Sequence, residues 1–251
     1  MSYIVVFIAA FVAGAINSVA GGGTLLTFPA LVWVGLPSTI ANATSTVAIW
    51  PGSLGGVWGY RHDLPGLPKS TYLLMFPSLI GGILGAVLLV MTPTAVFDRL
   101  IPLLIMFATL LFMLQEPVQR AIKTTGKAHA GSTGWLVGAM LFQFLVSVYG
   151  GYFGAGIGIL MLAAFGIMGF TDIHQMNGLK NFLALCINGV AAAYFIWNGM
   201  VSWPHALVMA VAAILGGVWG AGVARRIGPR AVRRIVIIVG FTMAISLLFR
   251  L

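Results

Sequence analysis

Leu73-Leu74-Met75-Phe76-Pro77-Ser78-Leu79-Ile80-Gly81-Gly82-Ile83-Leu84-Gly85-Ala86-Val87-Leu88-Leu89-Val90 is an uncharged, continuously apolar run. At about 1.5 Å per residue a helix of this length reaches ~27 Å, close to the ~30 Å hydrocarbon core of a bilayer. Ile235–Phe249 is apolar in the same unbroken way. A transmembrane barrel would instead alternate apolar and polar residues over stretches of about ten. The pattern predicts membrane-spanning α-helices.

The rest of the chain follows suit. Of its 251 residues 60% are hydrophobic and only 7% charged, against roughly 25% charged in a soluble domain. Too few charges are available to coat a water-facing surface. At ~20 residues per span the length accommodates about eight to ten membrane segments and leaves no soluble domain. The single Cys186 excludes an internal disulfide framework. The net charge of +9 is scattered among connections instead of massed on one domain, which argues against nucleic-acid binding and for a topology signal. Met1-Ser2-Tyr3 lacks a basic leader, so the first apolar stretch is read as a retained helix.

Apolar stretches fall near 3–20, 23–36, 40–60, 71–91 and 97–115, then near 135–149, 151–170, 176–199, 204–223 and 231–250. Between the two sets lies a polar connection, 116–134. The halves, 1–115 and 135–251, read as one repeated unit. Ile80-Gly81-Gly82-Ile83-Leu84-Gly85-Ala86 matches Leu215-Gly216-Gly217-Val218-Trp219-Gly220-Ala221 at an offset of 216 − 81 = 135. The same offset pairs Gly21 with Gly156, Gly23 with Gly158, Leu25 with Leu160, Asn42 with Asn177 and Arg99 with Arg234. Basic residues mark cytoplasmic loops. Placing the Arg225–Arg234 cluster, the middle connection and the Arg61–Lys69 loop inside makes the fourth and ninth stretches run in opposite directions. The expected fold is therefore an all-α polytopic membrane protein of two inverted repeats, about five segments each, with both termini outside.

The second segment of each half is short and rich in glycine: Gly21-Gly22-Gly23-Thr24-Leu25-Leu26-Thr27-Phe28-Pro29 and Gly154-Ala155-Gly156-Ile157-Gly158. Residues 23–36 would make only ~21 Å of helix. Short, interrupted segments at matching places in two halves point to a transport site built on broken or re-entrant helices. Neither run has nucleotide-loop spacing. Two readings compete: free N–H groups at a helix N-terminus that face an anion, and close backbone packing between helices. Packing is the expectation for Gly52/Gly56, Gly55/Gly59, Gly81/Gly85 and Gly216/Gly220.

Polar residues open the third segment of each half. Asn42, Thr44 and Ser45 lie in the first, and Asn177, Lys180 and Asn181 in the second. At membrane depth such groups line a watery cavity or bind helices together. Lys180 is the one cation well inside an apolar stretch, and it stands where the first half has Ser45. A buried cation needs a partner, and a substrate anion is one; a lysine snorkelling to the interface is the alternative. Asp172 and His174 read as loop residues. No His/Cys/Asp/Glu grouping has metal-ligand spacing. The four acidic residues, Asp63, Asp98, Glu116 and Asp172, all lie at segment ends, so a membrane enzyme is not expected and neither is a cofactor.

Gly21-Gly22-Gly23-Thr24-Leu25-Leu26 with Pro29-Ala30-Leu31, then Gly35-Leu36-Pro37 and Ala41-Asn42-Ala43-Thr44-Ser45, with a weaker copy from Gly154 to Asn188, resemble the sulfite exporter TauE/SafE family, also called the toluene sulfonate uptake permease family. The resemblance covers the whole chain. It implies a multi-pass transporter of the bacterial inner membrane that moves small sulfur-containing or organic anions such as sulfite, thiosulfate or sulfonates, coupled to an ion gradient. The second copy departs from the pattern, with Ala163-Ala164 in place of Pro29 and Met176-Asn177-Gly178-Leu179-Lys180 in place of a small-Gly-Thr-Ser run.

The candidate substrate-binding set is thus Gly21, Gly22, Gly23, Asn42, Thr44, Ser45, Gly154, Gly156, Gly158, Asn177, Lys180 and Asn181, with the lipid bilayer and a small anion as partners. A passive anion channel and a non-catalytic membrane subunit of a complex are the alternative readings.

Overall fold

A computed structural model describes residues 2–19, 22–62, 69–124, 133–168, 170, 172–220 and 229–248. Gly21, Asp63, Lys127, His129, Arg225 and Arg226 fall outside the described residues, and with them most of the three basic connections. The described chain is helical throughout, with no strand. The first half comprises α1 (Ser2–Val19), α2 (Thr24–Trp33), α3 (Ser38–Gly59), a 3₁₀ turn (Lys69–Leu74), α4 (Met75–Met91) and α5 (Thr94–Thr124). The second comprises α6 (Thr133–Tyr152), α7 (Ile157–Ile167), α8 (Ile173–Trp197), α9 (Trp203–Leu215) with a π-helical turn (Gly216–Gly220), and α10 (Pro229–Leu248).

Thr71–Met91, Thr94–Leu114 and His174–Trp197 are each long and apolar enough to cross a membrane. Apolar helices of lesser length include Ser2–Asn17, Leu136–Tyr152 and Trp203–Val218. α5 continues as helix to Thr124, through Pro117 and into the polar connection.

The surface is apolar. Phe76, Ile80, Ile83 and Leu88 on α4, Leu103, Phe107, Leu110 and Leu114 on α5, and Leu207, Val211 and Ile214 on α9 are exposed at helical spacing. These faces meet lipid. The polar side chains lie within: Thr27, Asn42, Thr44, Ser45, Ser78, Thr109, Gln143 and Ser147 are all 0% exposed. That distribution is the one hydrocarbon demands, because a polar group on the lipid face has no partner. Of the tryptophans, Trp33, Trp58, Trp197 and Trp203 are exposed near helix ends, as an interfacial belt requires. Trp50 is different, for its indole Nε1 donates to the Leu185 carbonyl at 3.2 Å.

Glycine sets the closest approaches. A Cβ on Gly81 or Gly85 of α4 would strike the α6 backbone at Phe144 or Val148, and one on Gly151 of α6 would strike Gly82. A Cβ on Gly14 of α1 would strike Ala213, and one on Gly216 would strike Phe11. The expected packing faces at Gly81/Gly85 and at Gly216 are present. Those at Gly52 and Gly55 are not: nothing lies within 4 Å of a Cβ built on either, and both are exposed. Their positions on α3 meet no other helix among the described residues. Lipid tails exert no apolar drive between helices, so close contact at small residues carries the association.

The packing pairs form a regular set. α1 lies on α9 and α6 on α4, α3 on α9 and α8 on α4, α2 against α10 and α7 against α5. α3 also packs on α8, and α5 on α10. Exchanging each helix with the one five places along maps this set onto itself.

Replacing Gly85 or Gly216 by alanine is expected to lower stability by about 1–3 kcal/mol, because the new methyl must displace backbone. Gly52→Ala and Gly55→Ala should stay within about 0.5 kcal/mol of the parent, as surface substitutions do. Thermal melts of the four purified variants in detergent check this; equal losses at all four would contradict the packing.

Candidate functional site

The two helix interruptions organise the polar interior. α2 has ten residues and α7 eleven, or about 15–17 Å of helix each, roughly half a hydrocarbon core. Both follow a sharp break in the chain. Gly22 has φ of 100°, Gly154 of 80° and Gly156 of 81°, a region that only glycine enters freely. The glycines at these three positions are there for backbone reasons first. Gly22 also lies against the Phe112 ring, and Gly156 against Ala108 and Leu111, all on α5. A side chain at Gly22 would overlap that ring.

In hydrocarbon the peptide groups freed by the breaks need partners. At the first break the Gly23 N–H donates to Asn17 Oδ1 at 2.8 Å, and the Gly23 carbonyl accepts from Leu26 N, Thr27 N and Thr27 Oγ1. At the second, Asn42 Nδ2 donates to the Tyr152 carbonyl at 2.9 Å and the Tyr149 hydroxyl to the Ala155 carbonyl at 2.7 Å. Asn42, from the first half, therefore secures the hinge of the second.

The candidate residues divide into two clusters. In the first half the hydroxyls of Thr27 on α2 and Ser45 on α3 are 2.6 Å apart. Asn42, one helical turn before Ser45, is fully buried, and its Oδ1 has no hydrogen-bond partner. Thr44 is engaged elsewhere: its hydroxyl accepts from the Ser202 N–H at 3.0 Å, tying α3 to the entry of α9. In the second half the stem of Lys180 on α8 crosses α7 at Gly158, where a Cβ would meet Lys180 Cδ at 3.1 Å. Glycine makes the groove in which the stem lies.

Lys180 is only 9% exposed. Its Nζ donates to Asn177 Oδ1 at 2.9 Å. Among the described residues it has no carboxylate partner. Asp172, eight positions earlier, is exposed and caps α8, accepting from His174 N at 2.8 Å and Gln175 N at 3.4 Å. The Lys180 ammonium ends on the amide of Asn177, which is half-buried. No side chain caps the N-terminus of α7 at Gly156, two residues before the Gly158 contact with the lysine stem. Asn181, next to Lys180 in the chain, is half-buried.

Sequence reading missed Asn17, Thr27, Tyr149 and Tyr152, which hold or face the breaks. Thr27 alone left a signal, since it stands one turn after Gly23 on the short helix. A further buried polar cluster, Gln143 with Ser78 and Ser147 between α6 and α4, was also unforeseen. Among the described residues no three His, Cys, Asp or Glu gather as a metal site.

Known proteins bear on this arrangement. The family model for the sulfite exporter TauE/SafE matches residues 6–247. A probable membrane transporter protein of Haemophilus influenzae is 26% identical over 246 residues, covering 98% of this chain and 94% of the relative. The probable membrane transporter protein YfcA of Escherichia coli is 28% identical over 249 residues, covering 98% and 89%. A more distant relative is YunE of Bacillus subtilis, also a probable membrane transporter protein, at 22% identity over 99% and 98% of the two chains. No solved structure matches. With apolar helices throughout and near-complete coverage by the family model, the chain belongs to the sulfite exporter TauE/SafE family of membrane transporters.

Proposed function

We propose that this protein is a secondary transporter of small anions, sulfur-containing or organic, across the bacterial inner membrane, coupled to an ion gradient. The observation that carries the reading is Lys180: a cation 9% exposed, on a helix with no other Lys, Arg, Asp or Glu, whose single partner among the described residues is the neutral Asn177 amide. A charge so placed is costly in hydrocarbon unless a counter-charge joins it. An anion at its Nζ would supply that charge. The uncapped start of α7 adds favourable N–H groups and dipole. Asn177 would orient the ammonium, and Gly158 would admit its stem.

Two inverted repeats, residues 1–115 and 135–251, would supply the movement by rocking against each other around this site. The self-mapping set of helix pairs supports that reading. So does Trp50, whose hydrogen-bond partner Leu185 is its own counterpart at the offset of 135; residues that touch their own counterparts lie beside a two-fold axis. The half-length α2 and α7 would re-enter the protein from opposite sides.

In proteoliposomes, Lys180→Ala should reduce uptake of the transported anion at least ~10-fold, and Lys180→Arg should retain part of it, because the charge persists while its shape changes. Gly158→Ala, which crowds the lysine stem, should lower uptake several-fold with little change in melting temperature. A panel of sulfite, thiosulfate and a sulfonate as choline salts identifies the substrate. Parental uptake by both Lys180 variants would remove that residue from the site. For topology, in a Cys186→Ser background a cysteine at Asn198 should react with an impermeant maleimide added outside whole cells, and one at His62 should not; the reverse pattern would invert the orientation.

A further inference from the structure

We propose that Asn42 and Ser45, supported by Thr27, bind a dehydrated monovalent cation, sodium in the first instance, at the place in the first half that the Lys180 ammonium takes in the second. The inference rests on the repeat reading above and names the coupling ion for the same transport cycle.

The correspondence at offset 135 is specific. Asn42 pairs with Asn177, Ser45 with Lys180, and Gly23 with Gly158. In the second half a positive charge tethered to α8 rests 2.9 Å from Asn177 Oδ1, its stem across Gly158. In the first half the equivalent amide oxygen, Asn42 Oδ1, is buried without a donor. Its orientation is not arbitrary, because Asn42 Nδ2 is held by the Tyr152 carbonyl at 2.9 Å. The oxygen is the end left over. A buried acceptor with nothing to accept is unusual in a protein interior and asks for an explanation. One half has a cation at its amide; the other has the amide and a serine where the cation's stem would begin.

The hydroxyl pair one helical turn along α3 is wired to present lone pairs. Thr27 Oγ1 donates its proton to the Gly23 carbonyl at 3.1 Å. In the 2.6 Å contact with Ser45, Thr27 must then accept and Ser45 donate. With its proton so spent, Ser45 Oγ turns only lone pairs to anything else nearby. Asn42 and Ser45 are three residues apart on α3, hence on one face. An amide oxygen and hydroxyl oxygens are donors that suit a hard cation. All are neutral, and no acidic residue described is buried. A divalent ion would bring two charges to a site with none to offset them, so the monovalent ion fits. Unwound helix segments in two-fold transporters are suited to such ions. Water or the transported anion would complete the shell. Sodium beside the anion would then favour its binding as Lys180 does, with the difference that sodium can leave with the anion and a lysine cannot.

The test uses the purified full chain in detergent, melted in choline chloride, in KCl and in NaCl at equal ionic strength. Sodium should raise the melting temperature saturably by roughly 3 °C or more. Ser45→Ala and Thr27→Val should lose most of that response while melting near the parent in choline. Ser45→Lys, which tethers an ammonium as the second half does, should become indifferent to sodium; if it fails to fold, the alanine variant decides. Identical melting of the parent in all three salts would overturn the site, as would a full sodium response in Ser45→Ala. Lys180→Ala separates the two readings. A sodium response retained in that variant supports the cation site even if no anion stabilises the parent, an outcome that would sink only the anion reading.

Discussion

A peptide group in hydrocarbon has no water to bond, and every other feature of this protein follows from that constraint. It forces the membrane-crossing segments described into helices. It also means that the helix can be interrupted only where neighbouring protein replaces the missing partners. The breaks before α2 and α7 are both buried between other helices, and several of the groups freed there have identified partners: Asn17 for the Gly23 N–H, Asn42 for the Tyr152 carbonyl, Tyr149 for the Ala155 carbonyl. The breaks are therefore supported structures, and the polar residues around them serve the backbone as well as any cargo.

The same constraint explains how the helices hold together. With lipid tails as apolar as leucine, burial of apolar surface does not drive helix against helix. Close contact does, and glycine allows the closest contact. The α4–α6 and α1–α9 interfaces both depend on glycines that face backbone directly. The hinges use glycine for another reason, its access to positive φ. Two distinct properties of one residue type account for most of the glycine pattern.

The halves are similar in architecture and different in charge. Where the first half closes α2 on α3 with a Thr27–Ser45 hydroxyl contact, the second lays a lysine across α7.

Much of this was readable from the chain alone. Apolar runs such as Leu73–Val90 announce helices because only a helix satisfies so long an uncharged segment in lipid, and the repeat at Gly81 and Gly216 announces two packing faces. Lys180 declares itself by its charge in an apolar run. The sequence could not separate Gly81 and Gly85 from Gly52 and Gly55, because identical small-residue spacing faces another helix in one case and open surface in the other. Nor could it tell Thr44, turned to the Ser202 amide, from Ser45, turned to Thr27. Composition and period are local properties, and they determined the class and the helices. Which side of a helix meets which neighbour depends on how all ten pack at once, so the partners of Asn42, Thr27 and Lys180 were decided only by the tertiary structure.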